Sequence, residues 1–186
     1  MTQERLIHIL GISGSLRSSS YNTALLRAAE ELLPEDVTME IVDLAGIPVL
    51  DIDEEIPFPE AVVRMRTAIA EADAVLIATP EYNSSISGAL KNALDWVSRS
   101  PQPPLAGNPV ALIGASTGLF GTARAQVQLR QVLTHLGALV LSKPEVMVPK
   151  AQEVFDENGR LTSESTRGFL QDLLIKLAAW TRRVAH

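Results

Sequence analysis

At 186 residues, 46% hydrophobic and 20% charged, the chain has the proportions of one globular domain, residues 1–186, with apolar residues enough for a substantial core. A net charge of −6 argues against a general surface for nucleic acid or anionic membrane. The absence of cysteine excludes disulfides, thiolate nucleophiles and Cys-ligated metals, and His8, His135 and His186 lack ligand spacing. Met1 to Arg5 carries no signal pattern and no apolar run approaches a membrane span, so a cytoplasmic protein is expected.

In chain order, the apolar run Leu6 to Gly11 predicts a first strand, and Asn22 to Leu33 a first helix stopped by Pro34. Val37 to Leu44 alternates as a second strand, and the proline-rich, acidic stretch Ala45 to Pro59 is a loop. Glu60 to Ala72 carries a helical repeat with Val62, Val63 and Ile69 on one face. Ala74 to Ala78 is apolar throughout, as a strand buried on both faces would be, and Pro109 to Ala115 repeats the pattern. Ile86 to Ser98 is a third helix, followed by the turn Ser100 to Pro104. Thr122 to Leu136 is a fourth helix, ended by Gly137. Ala138 to Leu141 begins a fifth strand that Val146 to Val148 continues or extends, and Pro149 to Leu161 is loop. Thr162 or Ser163 caps a last helix reaching Val184. Five strands alternating with five helices predict a doubly wound parallel sheet with helices on both faces. In the order 2-1-3-4-5, ligands bind beyond the strand ends where the order reverses, so the loops after strands one, three and four should meet.

The first of these loops, Leu10 to Asn22, lies between a strand and a helix. Gly11 and Gly14 permit close backbone approach, and Ser13, Ser15, Ser18, Ser19, Ser20 and Asn22 supply short polar side chains. Arg17 adds a permanent forked cation. At a helix start, unpaired amides and the positive dipole end favour an anion, so the stretch suits a phosphate monoester. A Ser-rich surface loop with Asn22 as an ordinary N-cap is the plainer alternative. A Walker loop would need a lysine, and none precedes Lys91; a dinucleotide fingerprint would need glycine where Ser13 stands. After strand three, Thr79 to Gly88 offers Pro80 to fix a turn, Tyr82 as a flat face and Asn83 to meet a polar heterocycle edge. After strand four, Gly114 to Gly121 is another small-residue loop opening a helix.

Taken together, Gly14-Ser-Leu-Arg-Ser-Ser-Ser-Tyr-Asn22, Pro80-Glu-Tyr-Asn83 running into Gly88-Ala-Leu-Lys-Asn-Ala-Leu-Asp-Trp96, and Ser116-Thr-Gly118 followed by Ala123-Arg-Ala-Gln126 and Leu129-Arg130 resemble the NAD(P)H-dependent FMN reductases. This is a flavodoxin-like family with quinone, azo-dye and chromate reductases among its members. The resemblance implies FMN as cofactor, its phosphate held by Ser15, Arg17, Ser20 and Asn22. It implies that Pro80, Glu81, Tyr82 and Asn83 border the isoalloxazine, with Ser116, Thr117 and Gly118 nearby. Gly121-Thr122 departs from the glycine pair of many relatives, which bears on that loop's conformation. The resemblance further implies NADPH or NADH as co-substrate, a ping-pong hydride transfer to a small-molecule acceptor, no catalytic side chain, and a homodimer or dimer of dimers. A flavodoxin-type electron carrier, binding FMN without oxidising a pyridine nucleotide, is the competing reading.

Overall fold

The computed structural model describes residues 5–99 and 102–184. Residues 1–4, the start of the turn after the third helix at 100 and 101, and His186 therefore lie outside the described residues. The strands are β1 (Ile7–Ser13), β2 (Val37–Val42), β3 (Ala74–Ala78), β4 (Pro109–Ala115), β5 (Leu139–Val140) and β6 (Val146–Val148). The helices are α1 (Tyr21–Glu30), α2 (Glu60–Glu71), α3 (Gly88–Ser98), α4 (Ala123–His135), α5 (Ala151–Val154) and α6 (Glu164–Val184).

All strand pairs are parallel and run in the order β2-β1-β3-β4-β5. The sheet has six strands rather than five, because β5 and β6 both pair with β4. β5 lies beside Pro109 and Val110, and β6 beside Ile113 to Ala115. Between them Pro144 brings no N–H to a ladder, and one edge is divided into two short pieces.

Strand periodicity sends alternate side chains to opposite faces, and both faces are covered. Ile9, Leu76 and Ile113 point into a core closed by Leu25 and Leu26 of α1 and Leu170, Leu173, Leu174 and Leu177 of α6. Leu10, Ile77 and Leu112 point into the other, closed by Met65 and Ile69 of α2, Leu90 and Leu94 of α3, and Leu129 and Leu133 of α4. Two expectations need correcting. Val63 is 46% exposed, and Met65 takes its place on the buried face of α2 beside Val62 and Ile69. The stretch from Pro149 to Leu161 is not wholly loop, since it holds α5 and a bridge between Phe155 and Leu161. Gly137 does end α4, at φ 75°, with Ala138 N–H bonded to the Leu133 carbonyl. No helix among the described residues is long and apolar enough to cross a membrane.

The loop from Ala45 to Pro59 is tied to α3. Asn92 and the Trp96 indole donate to the Pro48 carbonyl, and Arg99 grips Glu55 at 2.6 Å. That hydrogen bond holds the Glu55 carboxyl below its ordinary range; burial works against it and the guanidinium charge adds to it. A lowered folded-state value means the contact stabilises the fold above the usual carboxylate range and is lost as the pH falls through the lowered value. Glu55→Gln should therefore lower the melting temperature modestly at neutral pH and leave it unchanged in acid below that value, so that the acid limb of the profile flattens.

Candidate functional site

β1 and β3 end level, Ser13 opposite Ala78, and β4 runs two residues past Ile113, the partner of Ala78, to Ala115. Their following loops, residues 14–20, 79–87 and 116–122, consequently emerge side by side at the reversal of strand order. Gly14 N–H donates to the Ala78 carbonyl at 2.8 Å, and a Cβ on Gly14 would lie 3.1 Å from that oxygen, from Pro80 and from Leu90. The approach is close enough that a side chain here would make its neighbours give by a few tenths of an ångström. Ser87 caps α3 through Leu90 N–H and donates its hydroxyl to the Gly14 carbonyl, fastening the first loop to the third helix.

Ser20, not Asn22, caps α1, its hydroxyl oxygen accepting from Asn22 N–H and Thr23 N–H. Ser15 accepts from Arg17 N–H. With their oxygens accepting inward, both hydroxyls have a proton left to donate outward. The peptide N–H groups of Leu16, Ser18, Ser19 and Ser20 make no hydrogen bond with another described residue. Nor does the exposed Arg17 guanidinium, and the first turn of α1 holds no acidic side chain. A concentrated set of unspent donors with positive charge remains at the helix start.

Asn22 has a different use. Its side-chain amide donates to the Ala115 carbonyl at 3.0 Å and its oxygen accepts from Ala115 N–H at 2.9 Å. The buried side chain straps α1 to the end of β4, leaving one amide hydrogen uncommitted. Asn22→Ala would strand both peptide groups of Ala115. Because Ala115 lines a cleft that admits water, the expected loss is about 1–2 kcal/mol in urea unfolding.

The third loop folds on itself as a tight turn in which Tyr82 and Ser85 exchange two backbone hydrogen bonds of 2.9 Å. Asn83 and Ser84 form its tip at φ 50° and 63°. Asparagine tolerates this left-handed region, so Asn83 suits the turn tip. The fourth loop is braced from behind by α5: Lys150 N–H donates to the Gly118 carbonyl and Ala151 N–H to that of Ser116. Gly121 and Thr122 are both left-handed, at φ 53° and 76°. Thr122 is fully buried against Gly114, and its hydroxyl accepts from the Gln126 amide, which also reaches the Val146 carbonyl. A β-branched residue is thus held in a costly conformation by packing and one hydrogen bond.

Between the loops lies a cleft of about 110 Å³, open to solvent. Ser15, Arg17, Ser20, Asn22, Pro80, Glu81, Tyr82, Ser116 and Thr117 line it, all of them expected there. Asn83 and Gly118 do not: the first stands at an exposed turn tip, and the second turns its carbonyl to Lys150. Tyr21 and Ala115 line the cleft without having been singled out. Tyr21 could have been found as the first residue of α1 beside the anion site; Ala115 is apolar and gives no signal.

Residues 7–153 match the model of a family described as NADPH-dependent FMN reductase. The chain belongs to that family. It is similar over 96% of its length to an NAD(P)H-dependent FMN reductase of Pseudomonas aeruginosa, with 51% identity and 97% of that protein covered. It is also similar to a 2-hydroxy-1,4-benzoquinone reductase of a Burkholderia species, 42% identical over 95% of this chain and 97% of that one. A solved structure of the flavoenzyme NAD(P)H:(acceptor) oxidoreductase from Paracoccus denitrificans superposes with a TM-score of 0.87, at 34% identity, over 95% of this chain and 98% of that chain. The flavodoxin-like architecture and the oxidoreductase class follow from this membership. For an NADPH-dependent FMN reductase the donor set fits: open amides, two hydroxyls and Arg17 suit the phosphate end, and Tyr82 offers a flat surface for a ring.

Proposed function

We propose that the chain, acting as one FMN-binding domain, is an NAD(P)H-dependent reductase that works by a ping-pong route on small planar acceptors. Quinones, azo compounds, free flavins and metal oxyanions are the candidate classes. The observation that carries this reading is the run of unspent donors at the start of α1, with the unpaired Arg17 beside it, opening into the cleft. When bound, FMN supplies the chemistry, accepting a hydride from NADPH or NADH and passing two electrons on to the acceptor.

The residues of this chain bind, orient and tune. Ser15 and Ser20 donate hydroxyl protons to the phosphate, Arg17 adds charge, and Asn22 gives its remaining amide hydrogen while holding α1 against β4. Pro80, Glu81 and Tyr82 would border the ring, with Asn83 shaping their loop, and Ser116, Thr117 and Gly118 would lie nearby. Peptide N–H groups aimed at the ring would stabilise negative charge that develops on it. No side chain acts as a proton donor in the hydride step, so none is assigned as catalytic.

A second copy completes the proposal. Leu90, Leu94 and Trp96 of α3 are buried within the chain and contribute core, while Val49, Ile52 and Ile56 on its flank are largely exposed. These, with the exposed Leu119 and Phe120 beside the cleft, are the surfaces a homodimer would cover. In a dimer of dimers Arg124 and Glu145 would lie near a second interface; within the chain they already pair with Glu81 and Lys143. Light scattering that gives a monomer mass would rule the assembly out.

Steady-state kinetics test the enzyme reading. NADPH oxidation that accelerates with a benzoquinone, with parallel double-reciprocal lines, is the expected result. A protein that binds FMN but leaves NADPH untouched would be an electron carrier instead.

A further inference from the structure

We propose that Glu81 is a positioning residue whose carboxylate caps α4 from the neighbouring loop and thereby fixes the two walls of the cleft. Its functional half rests on the FMN reading above. α1 and α3 begin with serines that bond first-turn amides, but α4 begins at Thr122, whose side chain makes no cap and whose first turn has no acidic residue. The missing acceptor comes from across the cleft. One Glu81 oxygen accepts from Arg124 N–H at 3.1 Å and Ala125 N–H at 3.2 Å, and the other lies 3.5 Å from the Arg124 guanidinium.

Neither amide has another partner among the described residues, and the flanking Ala123 and Gln126 N–H groups are served by the Phe120 and Thr122 carbonyls. The Glu81 side chain is only 11% exposed. The remaining links between the third loop and α4, from Ser84 and Ser85 to Arg124 and Gln128, are exposed to competing water. The charge-assisted cap, whose Ala125 bond is partly buried while its Arg124 bond is exposed like the others, is the strongest link of the joint, and it stands between Pro80 and Tyr82, both of which line the cleft. The charge has a second effect. The positive end of α4 is already neutralised from within the chain, so of α1 and α4 it is the start of α1 that stays open to an anion.

Hydrogen–deuterium exchange on the apoprotein and FMN titration of wild type, Glu81→Ala and Glu81→Gln test this. In Glu81→Ala the Arg124 and Ala125 amides should exchange about tenfold faster and FMN should bind about tenfold more weakly, the scale of a lost cap. Glu81→Gln keeps an accepting oxygen and should recover most of both. Native exchange in Glu81→Ala, or faster exchange with unchanged FMN affinity, overturns the proposal, as does a glutamine variant as impaired as alanine. If wild type takes up no FMN, the cofactor reading fails separately, and the exchange rates alone decide for or against the cap.

Discussion

Replacing Gly121 by alanine is expected to lower the free energy of unfolding by about 3–5 kcal/mol, enough to threaten the folded state of a domain this size. Two independent costs combine. At φ 53° the backbone sits where a Cβ is strained, and that Cβ would meet the Pro149 nitrogen at 2.7 Å and the carbonyl carbons of Val148 and Met147 at 2.8 and 2.9 Å. All three contacts are backbone, from β6 and the residue after it, so no side chain can swing aside. Relief requires prising the fourth loop from β6, which also disturbs the hydrogen bond from Ser116 N–H to the Val148 carbonyl. Urea unfolding of the two proteins measures the difference. A loss under 1 kcal/mol, the scale of an unremarkable surface change, would mean that the loop is not seated on β6 as described.

Arg17→Ala should act in the opposite way, on ligand and not on fold. The side chain is exposed and bonds no described residue, so its removal should leave the melting temperature of the apoprotein unchanged. A charge-assisted contact to a phosphate is worth about 1.5–3 kcal/mol, so FMN should bind roughly 10- to 100-fold more weakly. Fluorescence titration reads this directly, because flavin emission changes on binding. Equal FMN affinity in the two proteins would remove Arg17 from the site, and a parallel loss of stability would show it to be a structural residue.

The parallel, doubly wound sheet could be read from the chain because strands and helices alternate, whereas the strand order 2-1-3-4-5 came with the family resemblance. Val75, Leu76 and Ile77 are buried on both faces, as a central strand requires. The divided edge at β5 and β6 was less legible, since a three-residue strand leaves little periodic signal and its pairing with Ile113 to Ala115 is decided by tertiary contact. The three loops were identifiable because glycines, hydroxyls and strand ends are local features. What individual side chains do within them was not. Asn22 reads as a phosphate ligand or, more plainly, as a cap, yet Ser20 takes the cap and Asn22 reaches Ala115, 93 residues away. Glu81 reads as a border of the ring site, and its bonds to the start of α4 are visible only once α4 is brought against it. Asn83 reads as a donor to a ligand, and its place at a turn tip with φ 50° gives asparagine a second use there. In each case a polar side chain has several equivalent uses, and only the folded arrangement selects among them.

The account stands or falls on whether the start of α1 receives a flavin's phosphate. Calorimetric titration of the apoprotein with FMN and, separately, with riboflavin tests this most directly, because the two ligands share the ring system and differ at the phosphate. FMN binding roughly a hundredfold tighter or more, with the advantage much reduced in Arg17→Ala, is the predicted result. Equal affinities for the two, or no uptake of either, would contradict it.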